Sequence, residues 1–546
     1  MDPREIAQND RDNRAAGTAM YFLENVKEHL RENDKPESDR WLRELIAHYI
    51  VQWHDYAWVG DVKGEYRKFY KGAWRGGVDV SVSRLVREYC RDSGLKLTAA
   101  VRDDIRLMVK EALQLAMEDF NTDRNIVNFT NGYVALNTRS FHNHPSEGNG
   151  GDFLFTVQVP HHYKPGLTPL KFLPWLWATM EGDGAKVDLL LKAAGYALTL
   201  SVKYQKLFMI KGGPRTGKST FLNILHALVG VENSASVPLQ RLAKRFGTSG
   251  ILGKVLNYHA DIPTNKAVSD TSQIKTLVDD TIDVEIKGGV VGATIKNITK
   301  HFFSTNRMPP VRGLDLAYAR RWIIVNFDNT IAEGDVIGDY EGSIIDDPDE
   351  MAAIVSLAMD AFFDLEDDGR FKAQSPEDVL EMIMEETDTV YRFLKHECDV
   401  DPSFSELQDN VYTAYTEYAV ADGALEVLKK AGFTSDLYSK GFGWARSSQK
   451  IEGKRPYTYT GLKLKPEDKR GERPNGKPAL FRRIVSASGI ESTDPLGLDF
   501  EKIVPEVTLE DACREEIERE LAAEEDDGEF VPPPSAMVFF DEDDED

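Results

Sequence analysis

Apolar residues recur at helical spacing through Met20, Phe22, Leu23 and Val26, and again through Trp41, Leu42, Leu45, Ile46 and Ile50, so the first fifty residues read as helices. From Trp53 to Val78 the pattern changes: Tyr66, Phe69, Tyr70 and Trp74, punctuated by Gly72, predict short strands joined by turns. Helical periodicity resumes over residues 82–119. Two apolar runs then flank Asn131-Gly132 within residues 125–136, which predicts a hairpin, and residues 153–159 read as a further strand. Helices are expected over residues 172–179 and 187–200. The next apolar run, Leu207-Phe208-Met209-Ile210, gives way to Gly212-Gly213-Pro214-Arg215-Thr216-Gly217-Lys218-Ser219, after which Phe221, Leu222, Leu225 and Leu228 return at helical spacing. The pattern is strand, glycine loop, helix.

That loop fits G-x-x-x-x-G-K-[ST], and its residue types follow from what a phosphate chain needs. Gly212 and Gly217 permit backbone angles and close approaches that a β-carbon forbids, so N–H groups along Gly212, Gly213, Arg215, Thr216 and Gly217, around Pro214, can turn inward on an anion. The helix that begins with Lys218, Ser219 and Thr220 presents its N-terminus to the same charge. Lys218 would reach the β- and γ-phosphates of ATP, and Ser219 would offer its hydroxyl to Mg2+. A chance match on a flexible loop is the competing reading, and the strand and helix on either side weigh against it.

Downstream, residues 253–261 read as a short strand ending in Asp261, where a parallel-sheet nucleotide site wants a carboxylate for the Mg2+ shell. Residues 285–296, with glycines between two β-branched runs, suggest a projecting hairpin with Lys287 and Lys296 on its shoulders. An apolar run over residues 301–305 delivers Asn306 at a strand end before Pro309-Pro310, and Arg320-Arg321 precede a last strand over residues 322–327.

Composition adds limits. The 546 residues suffice for several domains, and 41% apolar content supports ordinary cores. No run of eighteen apolar residues occurs and the N-terminus is too polar for a signal peptide, so a soluble, cytoplasmic protein without a membrane partner is expected. Cys90, Cys398 and Cys513 lie far apart, which indicates neither a disulfide framework nor a zinc finger. His142, His144, His161 and His162 lack nearby Cys or acidic partners and read as surface or core histidines. The net charge of −25 is unevenly spread: residues 501–546 hold 19 Asp/Glu against 3 Lys/Arg, whereas residues 440–483 hold 13 Lys/Arg against 4 Asp/Glu. The basic stretch points to an anionic ligand.

The order of these features resembles the superfamily 3 helicases, most closely the poxvirus- and phage-type primase-helicases of viruses, proviruses and plasmids. The motifs are the 212–219 loop, the strand ending in Asp261, the hairpin with Lys287, the strand ending in Ser304-Thr305-Asn306, and Arg320-Arg321 before an apolar strand. Upstream, Asn131-Gly132-Tyr133-Val134-Ala135-Leu136 with His144-Pro145, and Gly195-Tyr196-Ala197-Leu198, are similar to the α/β domain that precedes the helicase core in that branch. The resemblance implies an AAA+-like sheet, a homo-oligomeric ring that is usually a hexamer, and ATP-driven movement on single-stranded DNA, typically 3′ to 5′. It implies that Lys218 and Ser219 bind ATP and Mg2+, that Asp261 is the acidic residue of the metal site, and that Asn306 senses the γ-phosphate or the attacking water. Arg320 or Arg321, with Arg321 favoured, would be the finger reaching a neighbour's site, while Lys287 and Lys296 would grip phosphates in the channel. Where relatives often carry two adjacent acids, this chain has Ala260-Asp261. It has no room for a primase domain, so priming would come from another protein.

After a Gly/Asp-rich linker over residues 331–347, residues 349–398 read as acidic helices. A helix from Phe404 with Leu407, Val411, Tyr415 and Tyr418, a second over residues 424–430 and a basic strand pair suggest a winged helix. Its wing would run over residues 449–464, with Lys450, Lys454 and Arg455 near the tip and DNA as ligand. Gly441 and Gly443 fit poorly in a recognition helix. The expected organisation is α/β: an N-terminal helical segment (1–52), an α/β domain (53–170), a P-loop ATPase core of parallel sheet and helices (171–330), a helical linker region (331–402), a winged helix (403–465), and a basic linker with an acidic, disordered tail (466–546). A replicative helicase acting on forked duplex is the leading expectation, and a DNA-bound initiator or packaging-type ATPase is the alternative.

Overall fold

The structure is a computed structural model that describes residues 24, 39–60, 64–146, 152–244, 246–263, 268, 271–284, 293–311, 314–331, 339–423, 427–446 and 456–466. The expected tail and most of the expected N-terminal helices fall outside these residues.

The N-terminal unit is built from α1 (Asp39–Trp53), β1 (Tyr56–Val59), β2 (Glu65–Tyr70), β3 (Ala73–Arg75), α2 (Asp79–Ser93), α3 (Ala99–Ala112) and β4 (Gln114–Leu115), with sheet order β3-β2-β1-β4. Gly94, in the left-handed region, ends α2, and the Thr98 hydroxyl accepts from the Val101 N–H to start α3. One core joins Ile46 and Ile50 of α1 to Tyr56, Tyr66, Val82, Val86, Ile105 and Val109. The expected boundary at residues 52 and 53 is therefore corrected: α1 shares the core of the domain after it.

The expected hairpin forms as β5 (Ile126–Phe129) and β6 (Gly132–Ala135), extended by β7 (Ser140–His142). The expected strand at 153–159 does not form. Val159 makes a single bridge to Phe129, and side chains occupy backbone groups that a ladder would use: Trp74 Nε1 donates to Phe153 O (3.0 Å), and Asn121 Oδ1 accepts from Thr156 and Val157 N–H.

The centre of the molecule follows, with α4 (Phe172–Thr179), α5 (Gly184–Leu198), β8 (Leu207–Gly212), α6 (Lys218–Val229), β9 (Ser234–Ala235), α7 (Leu239–Leu242), β10 (Leu256–His259), α8 (Thr271–Thr276), β11 (Thr281–Val284), β12 (Ala293–Lys296), β13 (Lys300–Thr305), α9 (Leu316–Ala319) and β14 (Trp322–Phe327). Strands β14-β8-β13-β10-β9, in that order, form an all-parallel sheet. Both faces of β8, β13 and β14 are covered, which is why residues 207–210 and 322–325 read as apolar runs, whereas β13 buries Lys300, His301, Ser304 and Thr305 around Phe302 and Phe303. Met209, Phe303 and Ile324 join a core with Ile274, Ile282 and Ile383, while Phe208 and Phe302 stack at 4.4 Å on the side of Tyr196 and Phe371. Because the strands are parallel, all their C-terminal ends open at one edge. The projecting hairpin is the antiparallel pair β11 and β12, set four residues earlier on its first arm than the sequence pattern suggested; residues 285–292 lie outside the described residues.

The region expected to be a helical linker packs on this centre. It holds α10 (Tyr340–Ile345), α11 (Pro348–Asp368) and α12 (Pro376–Thr387). A β-carbon on Gly195 of α5 would lie 2.0 Å from Ala358 O of α11, so only glycine allows this approach. Beside it, buried Lys192 pairs with Asp188 (2.9 Å) and Asp368 (2.8 Å). Glu350 of α11 accepts from the N–H groups of Leu170 (2.9 Å), Lys171 (2.8 Å) and Phe172 (2.8 Å), capping α4 from across the chain.

The last unit comprises α13 (Thr389–Glu397), β15 (Cys398–Leu407), α14 (Gln408–Ala421), α15 (Lys430–Ser439), β16 (Gly443–Arg446) and β17 (Tyr457–Leu464), with antiparallel sheet order β15-β17-β16. Phe393, Val411, Tyr415, Phe433, Leu437, Tyr459 and Leu462 form its core. Three expectations are corrected here. Residues 404–407 are strand and the helix begins at Gln408; the third helix starts at Lys430 instead of ending there; and β15 runs across the expected boundary at 402 and 403. Gly441, at φ 86°, ends α15, so neither it nor Gly443 sits within a helix.

Candidate functional site

The 212–219 loop leaves β8 at the open edge of the sheet. Gly212 pairs with Phe327 of β14, and a β-carbon there would lie 2.2 Å from Phe327 O and 2.9 Å from Thr216 Oγ1. Arg215 (φ 59°) and Gly217 (φ 84°) take left-handed angles that turn the chain into α6. Thr216 is buried and donates to Gly213 O (3.0 Å), which closes the loop on itself. Gly213, Pro214, Arg215 and Ser219 are exposed and Thr220 is half-buried, so the outer rim and the first turn of α6 face outward.

Lys218 is only 6% exposed. Its ammonium donates to Gly212 O (2.8 Å), to Gly213 O, and to Thr216 Oγ1 (3.4 Å). Burial lowers its pKa below the ordinary lysine range, and the Asp261 carboxylate partly offsets that shift.

Asp261 stands two residues beyond β10, in the left-handed region (φ 54°), with its N–H directed to Ser304 Oγ (3.3 Å). The next N–H, from Ile262, goes to Ser304 O (3.0 Å). The acid is thereby tied to β13, the strand between β10 and β8. Asn306 follows β13 directly and is exposed. Lys218, Asn306 and Asp261 thus emerge from three adjacent parallel strands at one edge. Among the described residues no cluster of three His, Cys, Asp or Glu side chains is gathered. A divalent ion here would rest on Ser219 and Asp261 together with phosphate oxygens, a donor set that suits Mg2+.

One participant was missed from sequence. Glu386 of α12 pairs with Lys211, immediately before the loop, and accepts from the Met308 N–H (2.9 Å), just after Asn306. It braces the two strand ends that carry Lys218 and Asn306. Its place in an acidic helix gave no signal.

The remaining sequence candidates stand elsewhere. Arg320 and Arg321 precede Trp322, which pairs with Leu207 at the start of β8. Five residue steps along β8 separate that edge from Gly212, about 17 Å. Arg320 is exposed, whereas Arg321 is held inward by Ala317 O (2.7 Å) and lies 3.6 Å from Asp279. On accessibility the favoured member of the pair is therefore Arg320. Lys296 is exposed at the base of the hairpin, opposite Thr281, near the same far edge. Arg124 ties that base to the N-terminal unit through the Asp280 carboxylate and Asn297 O (3.2 Å). Lys287, Lys450, Lys454 and Arg455 lie outside the described residues.

A family model described as "D5 N terminal like" matches residues 47–180, and one described as "Family of unknown function (DUF5906)" matches residues 210–321. The second match spans the loop, Asp261, Asn306 and both arginines. No curated protein matches the chain. Among solved structures, the A form apo structure of the NrS-1 C-terminal region is similar at 11% identity and TM-score 0.45, over 79% of this chain and 100% of that one. A second apo structure of that region gives 11% identity, TM-score 0.43 and the same shares.

Proposed function

We propose that this chain is an ATP-dependent replicative DNA helicase of the superfamily 3 type, working as a ring on single-stranded DNA and hydrolysing ATP between subunits. One observation carries the reading: Lys218, Asp261 and Asn306 converge at the C-terminal edge of a parallel sheet, while exposed Arg320 stands at the opposite edge, out of reach of its own site. Such a site is completed by a neighbour. The five-strand order, with the Asn306 strand between the loop strand and the Asp261 strand, supports an AAA+-like P-loop core. The D5-like match over residues 47–180 falls on the domain placed ahead of that core and supports a role in phage or viral DNA replication.

In this reading the loop N–H groups and the N-terminus of α6 hold the phosphates, and Lys218 exchanges the Gly212 and Gly213 carbonyls for β- and γ-phosphate oxygens. Ser219 and Asp261 hold Mg2+, which when bound neutralises charge developing on those oxygens. Asn306 orients the attacking water, with Glu386 and Lys211 fixing the strand ends beside it. Arg320 of the adjacent subunit stabilises the transferred phosphoryl group. Lys287 and Lys296 grip DNA phosphates, a contact that carries little sequence information, as a motor requires. The C-terminal unit, whose order of helix, strand, two helices and two strands is that of a winged helix, binds DNA through Lys450, Lys454 and Arg455.

The test is ATP-dependent displacement of a labelled strand from a forked duplex. Wild type should displace it and Lys218→Ala should not. Hydrolysis without displacement would favour an initiator or packaging-type ATPase, and wild-type hydrolysis by Lys218→Ala would reject the site itself.

A further inference from the structure

The C-terminal sheet buries Tyr459, yet Tyr457 on the same strand and a tryptophan on the outer strand stand in the open. Trp444 on β16 is 56% exposed and Tyr457 on β17 is 42% exposed, in a unit whose core is already filled by Tyr415, Phe433 and Tyr459. The two rings meet edge to face, with centroids 5.4 Å apart at 76°. Arg446, two residues after Trp444 and so on the same face of β16, pairs in register with Tyr457. Its guanidinium lies 5.4 Å from the tyrosine centroid and Nη2 is 3.3 Å from the hydroxyl. Among the described residues Arg446 makes no ion pair.

Two aromatic rings and a cation are thus arranged at an edge strand where folding does not require them. The stretch is basic in sequence: residues 440–465 hold seven Lys/Arg and a single acid, Glu452, with Lys440 engaged by Asp388 and Asp436 (both 2.7 Å). An exposed aromatic pair beside Arg446 on a basic stretch suits a ligand with flat π faces and a polyanionic backbone. A duplex hides the faces of its bases, so the complement is a strand with its bases unpaired.

We propose that Trp444, Tyr457 and Arg446 form a stacking platform for unpaired nucleobases, so that the C-terminal unit binds single-stranded nucleic acid by base faces as well as by phosphates. The proposal rests on the DNA-binding reading of this unit and not on the ATPase assignment. It predicts indifference to base identity, because every base offers a π face.

The experiment uses the full chain without nucleotide. Fluorescence anisotropy compares a labelled oligothymidylate, an abasic strand of equal length and the corresponding duplex, for wild type, Trp444→Ala, Tyr457→Ala and Trp444→Phe. Wild type should prefer oligothymidylate to the abasic strand, and saturation should quench Trp444 fluorescence relative to Trp444→Ala. Trp444→Ala should lose about tenfold on oligothymidylate, with little change on the abasic strand. Trp444→Phe should recover most of that loss. Equal ratios of oligothymidylate to abasic binding in wild type and both alanine variants would overturn the proposal, as would a loss shared equally by the two strands. Basal ATP hydrolysis, read on the same preparations, should be unchanged by these surface substitutions. Its absence in wild type would sink the ATPase reading and leave this one standing.

Discussion

The close approach of Gly212 to Phe327 gives a sharp test of the loop, because its neighbour Gly213 supplies an internal control. A β-carbon at 212 would lie 2.2 Å from the Phe327 carbonyl oxygen and 2.9 Å from Thr216 Oγ1. The first contact involves the backbone of β14, so relief requires the end of β14 and the loop to part by about 1 Å. Overpacking of this kind costs about 1–3 kcal/mol of stability. A displacement of about 1 Å at a reacting centre lowers turnover by about a hundredfold. A β-carbon at 213 meets nothing within 4 Å. Gly212→Ala should therefore reduce kcat/KM for ATP about a hundredfold with a modest drop in urea midpoint, while Gly213→Ala stays within about threefold of wild type. Steady-state ATP turnover and urea melts on both variants decide the matter. Wild-type turnover in Gly212→Ala, or equal losses in the two, would refute the packing argument.

Removing the ammonium in Lys218→Ala should lower hydrolysis by about 10²–10³-fold while the fold stays intact, checked by turnover and circular dichroism. Glu350→Ala leaves the N–H groups of Leu170, Lys171 and Phe172 without their acceptor and should cost about 2–4 kcal/mol in urea unfolding, with Glu350→Gln recovering part of it. Burial pushes the His301 pKa down to about 3, below its ordinary 6.5, so the folded state excludes a proton that the unfolded state binds. The stability tied to this group is complete above pH 6.5 and falls as pH drops toward 3, by about 2 kcal/mol between pH 6.5 and 5. His301→Gln should flatten that slope in urea midpoints measured at pH 7 and 5; parallel slopes would contradict it.

The central strands and the loop were legible because their signals are local: β8 and β14 read as apolar runs, Gly217 sits where the chain turns left-handed, and Gly212 sits where Phe327 leaves no room for a β-carbon. The hairpin was read late because glycines and β-branched residues at 288–295 outweighed the period-two alternation of Thr281-Ile282-Asp283-Val284. Strand β15 was hidden by Asp399, Asp401 and Pro402, residues tolerated there because β15 is an edge strand whose register shifts between Val400 and Ser405. Glu386 and Glu350 act across 175 and 180 residues of sequence, on Lys211 and Leu170 respectively, a distance at which no pattern speaks. Arg320 and Arg321 are indistinguishable as text; the turn after α9 aims one outward and folds the other onto Ala317.

The proposed sharing of a catalytic site between subunits is tested directly by a mixing experiment. Lys218→Ala and Arg320→Ala should each be nearly inactive alone, since one lacks the phosphate-binding ammonium and the other the arginine donated across the interface. When the two are co-assembled, about a quarter of interfaces should pair an intact Lys218 with an intact Arg320, and ATP turnover should recover accordingly. A mixture no more active than its two components, or an Arg320→Ala protein that hydrolyses ATP at the wild-type rate, would contradict it.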